Sequence, residues 1–156
     1  SVEARKGVAG MRWYELRRDP RGRYTVHQQG TYAPRDGVNR WMGSAAMDRL
    51  GNIAIGYSVV NGFDVYPGIR YTGRLSGDPA GRMTLGEGVI VDGSGVQTDP
   101  SSRWGDYSSL NIDPSDDCTF WYVNEYYEVS GAPGNTAPWR TRIGSFRLPG
   151  CRDPGE

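Results

Sequence analysis

The sequence predicts an all-β protein. Four-stranded antiparallel meanders make up about two and a quarter blades of a β-propeller, an incomplete ring over residues 1–156. Three observations predict it. Apolar and aromatic residues alternate over short runs bounded by turn formers, in a chain with 23 glycines, 10 prolines and 12% aromatics. Long helical patterns are missing; the best candidate, residues 5–18 (RKGVAGMRWYELRR), carries glycines in its middle. Finally, the turn DPRGRYT at Asp19–Thr25 returns as DPAGRMT at Asp78–Thr84.

Residues 10–17 (GMRWYELR) and 24–32 (YTVHQQGTY) flank the first of these turns. Pro presets φ there and Gly supplies a positive one, so the chain reverses. We read the pair as strands C and D of a first blade, with Ser1–Ala4 as the tail of its B strand. A full blade follows over 41–91: WMGSAAMD (41–48), IAIGYSVV (53–60), GIRYTGRL (68–75) and MTLGEGVIV (83–91). Its last two strands are joined by the second Asp-Pro turn. The final blade supplies strands A to C over 105–148: GDYSSLNID (105–113), CTFWYVNEYY (118–127) and RTRIGSFRL (140–148). Asp48 and Asp113 open the first hairpin turn of each unit. Arg40-Trp41 and Arg103-Trp104 precede each unit, and ELR, GRL and FRL recur in the third strands.

A unit of about 60 residues with four strands matches a propeller blade. A β-sandwich of about nine strands accounts equally well for the strand count. It does not account for turn chemistry that repeats in register. A blade buries both faces only against neighbours, and a ring must close. The expected partners are therefore the remaining blades of the same propeller, on another chain or in a larger parent, or further copies of this chain.

Formal net charge is zero, from 18 basic and 18 acidic residues, and no basic run stands out, so nucleic acid is not an expected partner. No apolar stretch is long enough for a membrane-spanning helix. Glycine-rich nucleotide motifs are absent, and no cofactor is expected. With one histidine, His27 in a polar strand, and no cysteine cluster, neither a zinc site nor a Ser/His/Asp triad is expected.

Two cysteines remain, Cys118 and Cys151. In a meander the start of strand B lies beside the end of strand C. Cys118 opens B and Cys151 follows C of the same blade, which predicts a disulfide. A disulfide favours a secreted or extracellular location, the periplasm included.

The stretches RWMGSAAMDRLGNIAIGYS, YPGIRYTGRL and SRWGDYSSLNIDPSDDCTFWYVNEYY resemble the terminal blades of large bacterial secreted proteins of the sialidase-like (BNR-type) propeller group. The resemblance runs from about residue 10 to Cys151 and speaks to architecture. A sialidase would imply an arginine triad, a Tyr–Glu nucleophile pair and an acid Asp. No residue here falls in such a motif, and the Asp-box Ser-x-Asp-x-Gly-x-x-Trp is absent, so no catalytic residue is assigned.

Candidate ligand-binding residues come from the chain itself. RWGDYSS (103–109) leads into an innermost strand, where propeller ligands meet the central channel. Arg103 suits an acidic ligand group, and Asp106 and Tyr107 suit proton transfer or hydrogen bonding. The plainer reading pairs Arg103 with Asp106 and packs Trp104 between blades. Arg40 occupies the matching place in the other unit. FWYVNEYY (120–127) reads either as an exposed aromatic strip that stacks on sugar rings or as a strand between two sheets, with Glu125 as a possible acid. DPSDD (113–117) reads as an Asp-rich turn or a calcium loop. The loops 61–67 and 128–139 are long enough to shape a binding face. The expected function is binding, structure or assembly at a cell surface or in a matrix, with a glycan as one ligand. The alternative is part of a sialidase-like hydrolase whose other catalytic residues lie on blades outside this chain.

Overall fold

The computed structural model describes residues 1–151, which form ten strands and no helix. They are β1 (Val2–Arg5), β2 (Val8–Arg18), β3 (Tyr24–Tyr32), β4 (Asn39–Met47), β5 (Ile53–Val60), β6 (Tyr66–Arg74), β7 (Leu85–Gly93), β8 (Ser109–Ile112), β9 (Phe120–Tyr126) and β10 (Arg140–Phe146). All pairings are antiparallel between consecutive strands. They give sheets ordered β1-β2-β3, β4-β5-β6-β7 and β10-β9-β8, none closed into a barrel. The predicted meanders of the second and third units are thus present. Ser1–Ala4, read as a strand end, contributes to β1.

The middle sheet is covered on both faces, and β5 shows how. In IAIGYSVV every residue but Val60 is buried. Ile53, Ile55, Tyr57 and Val59 point one way, into a core with Met11 and Trp13 of β2. Ala54, Gly56 and Ser58 point the other way, toward β9. The second set is small because the Tyr122 ring lies directly on Gly56. Period-two alternation thus assigns one face of β5 to each neighbouring sheet. A second core gathers Ala54, Ile69, Leu110, Phe120, Tyr122, Tyr126 and Leu148.

Two hydrogen-bonded seams join the sheets. Asn39 Oδ1 accepts from the Ala9 N–H at 2.9 Å, bringing β4 beside β2. Leu110 N–H donates to Ser44 Oγ at 3.0 Å and Ser108 Oγ to Met42 O at 2.9 Å, bringing β8 beside β4. The turn repeat aligns β2–β3 with β6–β7, whereas packing sets β2, rather than β1, against the first strand of the middle sheet.

The two Asp-Pro turns share a left-handed glycine, Gly22 at φ 83° and Gly81 at φ 76°. Their aspartates differ. Asp19 Oδ1 accepts from the N–H of Arg21 and of Arg23, both at 2.9 Å. Asp78 Oδ2 instead accepts from the Leu75 N–H at 2.7 Å and from the Thr84 hydroxyl. The second turn also packs on β3: a Cβ on Gly30 would lie 2.0 Å from Gly81 O.

The predicted disulfide is present, Cys118 to Cys151, with Cα atoms 5.5 Å apart. Closing that loop stabilises the fold by roughly 3–4 kcal/mol in the chain-entropy model.

Candidate functional site

A cleft lies at one end of the third sheet. Residues 94–108 run irregularly from β7 to β8, so the strand expected at 105–113 is shorter than its sequence suggests. Gly105 causes this. It adopts φ 56°, and its N–H donates to Glu125 Oε2 at 2.7 Å instead of to a strand neighbour. Trp104, just before it, anchors the segment. Its Nε1–H donates to Ser58 Oγ at 3.0 Å, and its ring sits 5.3 Å from both Trp41 and Tyr127. The two Arg-Trp pairs are therefore in contact through their tryptophans.

Their arginines go opposite ways. Arg103 is 76% exposed in its side chain and pairs with Asp106 at the cleft, Nε donating to Oδ2 at 3.1 Å. Arg40 is 0% exposed and lies apart from the cleft. Its Nε meets Glu87 Oε1 and its Nη2 meets Asp36 Oδ2, both at 2.6 Å, while Nη1 donates to Val38 O at 2.8 Å. Tyr57 donates to the same Glu87 oxygen at 2.6 Å. Every face of that guanidinium is occupied by the protein, so the structure gives Arg40 an interior, structural position.

The remaining candidates converge. Arg103, Asp106, Tyr107 and Glu125 line one cleft of about 400 Å³. The first three come from the segment before β8, and Glu125 comes from the outward face of β9. Sequence reasoning missed two further residues there, Trp139 and Asp99. The loop 128–139 is long enough in sequence to shape a face, and Trp139 at its end carries the available signal. Nothing in the sequence pointed to Asp99. Tyr107 is 92% exposed and Trp139 59%, so two aromatic side chains stand open to solvent at the cleft.

The cleft has fixed walls. The segment 94–98 is tied to 127–136 by Ser94 N–H to Tyr127 O at 2.8 Å, Gly131 N–H to Val96 O at 2.9 Å and Thr98 N–H to Thr136 O at 3.0 Å. Asp99 receives the Ser101 N–H and the Thr136 hydroxyl, both at 2.9 Å. The Ser101 side chain, then the Ser101 N–H and the Thr136 hydroxyl, hold its carboxyl below the usual range. Asp106 holds the Arg103 guanidinium above its ordinary value. Tyr127, whose ring meets Trp104, is buried. Burial first, then the negative charge of Glu125 and its hydrogen bond, and last the charge of Asp99, push the Tyr127 hydroxyl up to about 12.

The other sequence candidates lie elsewhere. Phe120, Tyr122 and Tyr126 are buried, so the aromatic strip is largely interior, with Trp121 alone of its aromatics open on the outer face. In DPSDD, Asp113 accepts from Ser115 N–H and Trp121 Nε1–H. Asp116 accepts from Cys118 N–H, Thr119 N–H and Arg147. Those two carboxylates serve the turn. The loop 61–67 closes on itself, Asn61 Oδ1 accepting three N–H groups, from Phe63, Asp64 and Val65. No family model, no curated protein and no solved structure matches the chain.

Proposed function

We propose that this chain is a binding segment of a larger sialidase-like β-propeller, acting at a cell surface or in an extracellular matrix, and that its cleft holds a glycan. One observation carries the binding reading: Arg103, Asp106 and Tyr107 from one stretch of sequence and Glu125 from another line a single cleft with Trp139. Its volume, about 400 Å³, suits one or two sugar rings. Exposed aromatic faces stack on the C–H face of a pyranose, while fixed carboxylates and a guanidinium accept and donate hydroxyl hydrogen bonds. The disulfide supports an oxidising location. Two open sheet faces support assembly with further sheets or further copies. One carries Tyr14, Leu16, Tyr24 and Val26 of the first sheet, and the other carries Trp121 and Ile143 of the third.

The test is a glycan array probed with the chain and with Trp139→Ala. Binding that falls about tenfold in the variant supports the reading, since stacking on one aromatic contributes on the order of 1 kcal/mol or more. Absence of binding to any saccharide contradicts it. A second reading, a sialidase-like hydrolase completed by other blades, draws on Asp106 and Glu125 sharing the cleft, because glycosidases use carboxylate pairs. Release of sugar from an aryl glycoside, lost in Glu125→Gln, would favour it.

A further inference from the structure

We propose that the cleft selects saccharides bearing a free amine and rejects those bearing a carboxylate; this rests on the glycan-binding reading. Four charged side chains line the cleft: Asp99, Arg103, Asp106 and Glu125. Arg103 is matched by its ion pair with Asp106. The carboxylates of Asp99 and Glu125 have no cationic partner among the lining residues. Both are held in place by protein donors, Glu125 by the Gly105 N–H and Asp99 by Ser101 and Thr136. A ligand therefore meets fixed negative charge.

A carboxylate carried in by a sugar would be repelled by Asp99 and Glu125, whereas an ammonium would be attracted. Tyr107 and Trp139 add ring faces that suit a pyranose of either charge. The cleft's chemistry is thus opposite to that needed by an acidic sugar, even though Arg103 taken alone suggests one.

The test is isothermal titration of the chain with four probes at about pH 6, where a sugar amine is protonated. The probes are chitotriose, its N-acetylated form, lactose and sialyllactose. We expect chitotriose to bind about tenfold more tightly than its acetylated form, and sialyllactose about tenfold more weakly than lactose, a difference near 1.4 kcal/mol. Both gaps shrink in about 1 M salt. Asp99→Asn keeps an acceptor for the Ser101 N–H and turns its NH2 to the Thr136 hydroxyl, which can accept as well as donate, but it removes a charge, so it lowers the amine-to-acetamide ratio. Equal binding of the paired probes, or tighter binding of sialyllactose than lactose, overturns this inference and leaves the glycan reading standing. No binding by any of the four, with no glycan bound on the array, overturns both.

Discussion

Replacing Gly56 with alanine tests the stacking of the second and third sheets directly. The new Cβ would lie 2.5 Å from Tyr122 Cδ1 and 2.6 Å from Cε1 and Cγ, well inside contact distance. Tyr122 has no room to yield. It is fully buried, its hydroxyl donates to Met42 O at 3.1 Å and accepts from Asn124 Nδ2 at 2.8 Å. Overpacking of this kind costs about 1–3 kcal/mol. For a domain of this size each kcal/mol lowers the melting midpoint by about 2–4 °C, so a fall of about 2–12 °C is expected. Gly86→Ala is the control. It lies in β7, where a Cβ meets nothing within 4 Å, and it makes the same change to the unfolded chain. Calorimetric melting of both variants gives the comparison. Equal midpoints for the two would refute the face-to-face contact of β5 with β9.

Three further predictions follow from the same geometry. Cys118→Ser/Cys151→Ser lowers urea stability by roughly 3–4 kcal/mol, and reductant does the same to the parent but not to the variant. Glu87→Gln weakens the enclosure of buried Arg40 and costs about 1–3 kcal/mol. Burial works to raise Glu87 and Asp36, but Arg40 outweighs it at both, with Tyr57 and Arg70 at Glu87 and the Val38 N–H at Asp36, so both sit below the usual carboxylate range. Carboxyls depressed by folding contribute stability above that range and lose it as pH falls. Denaturant midpoints should hold between about pH 6 and 8 and drop below about pH 4, less steeply in Glu87→Gln. Leu16→Lys/Val26→Glu, a cross-strand pair of opposite charge on the open face of the first sheet, leaves monomer stability within about 0.5 kcal/mol and abolishes any association seen by light scattering. Association that persists contradicts the use of that face.

Strands and turns were legible because their signals are local. Asp-Pro-x-Gly marks both turns, and alternation marks β2, β3, β5 and β9. The disulfide followed from meander order alone. Less local facts were hidden. Two Asp-Pro turns of one pattern bond differently because Asp78 reaches back to Leu75 while Asp19 holds its own turn forward. Two identical Arg-Trp pairs share a ring contact but turn one arginine inward and one outward, since only Arg40 finds Asp36 and Glu87 beside it. The length of β8 was overread because Gly105 gives its N–H to a carboxylate that only the fold brings near. Trp139 and Asp99 joined the cleft through the pairing of 94–98 with 127–136, a contact between loops that no sequence period announces.

The claim on which the functional account depends is that saccharides bind between the segment before β8 and the outward face of β9. Titrating a neutral oligosaccharide drawn from the array into isotopically labelled chain, and following amide chemical shifts, tests it most directly. The account predicts changes concentrated at residues 97–107, 123–125 and 137–141, with the Trp139 indole N–H among the largest. Shifts confined to the Asp19–Gly22 turn, the loop 61–67 or the open face of the first sheet would contradict it.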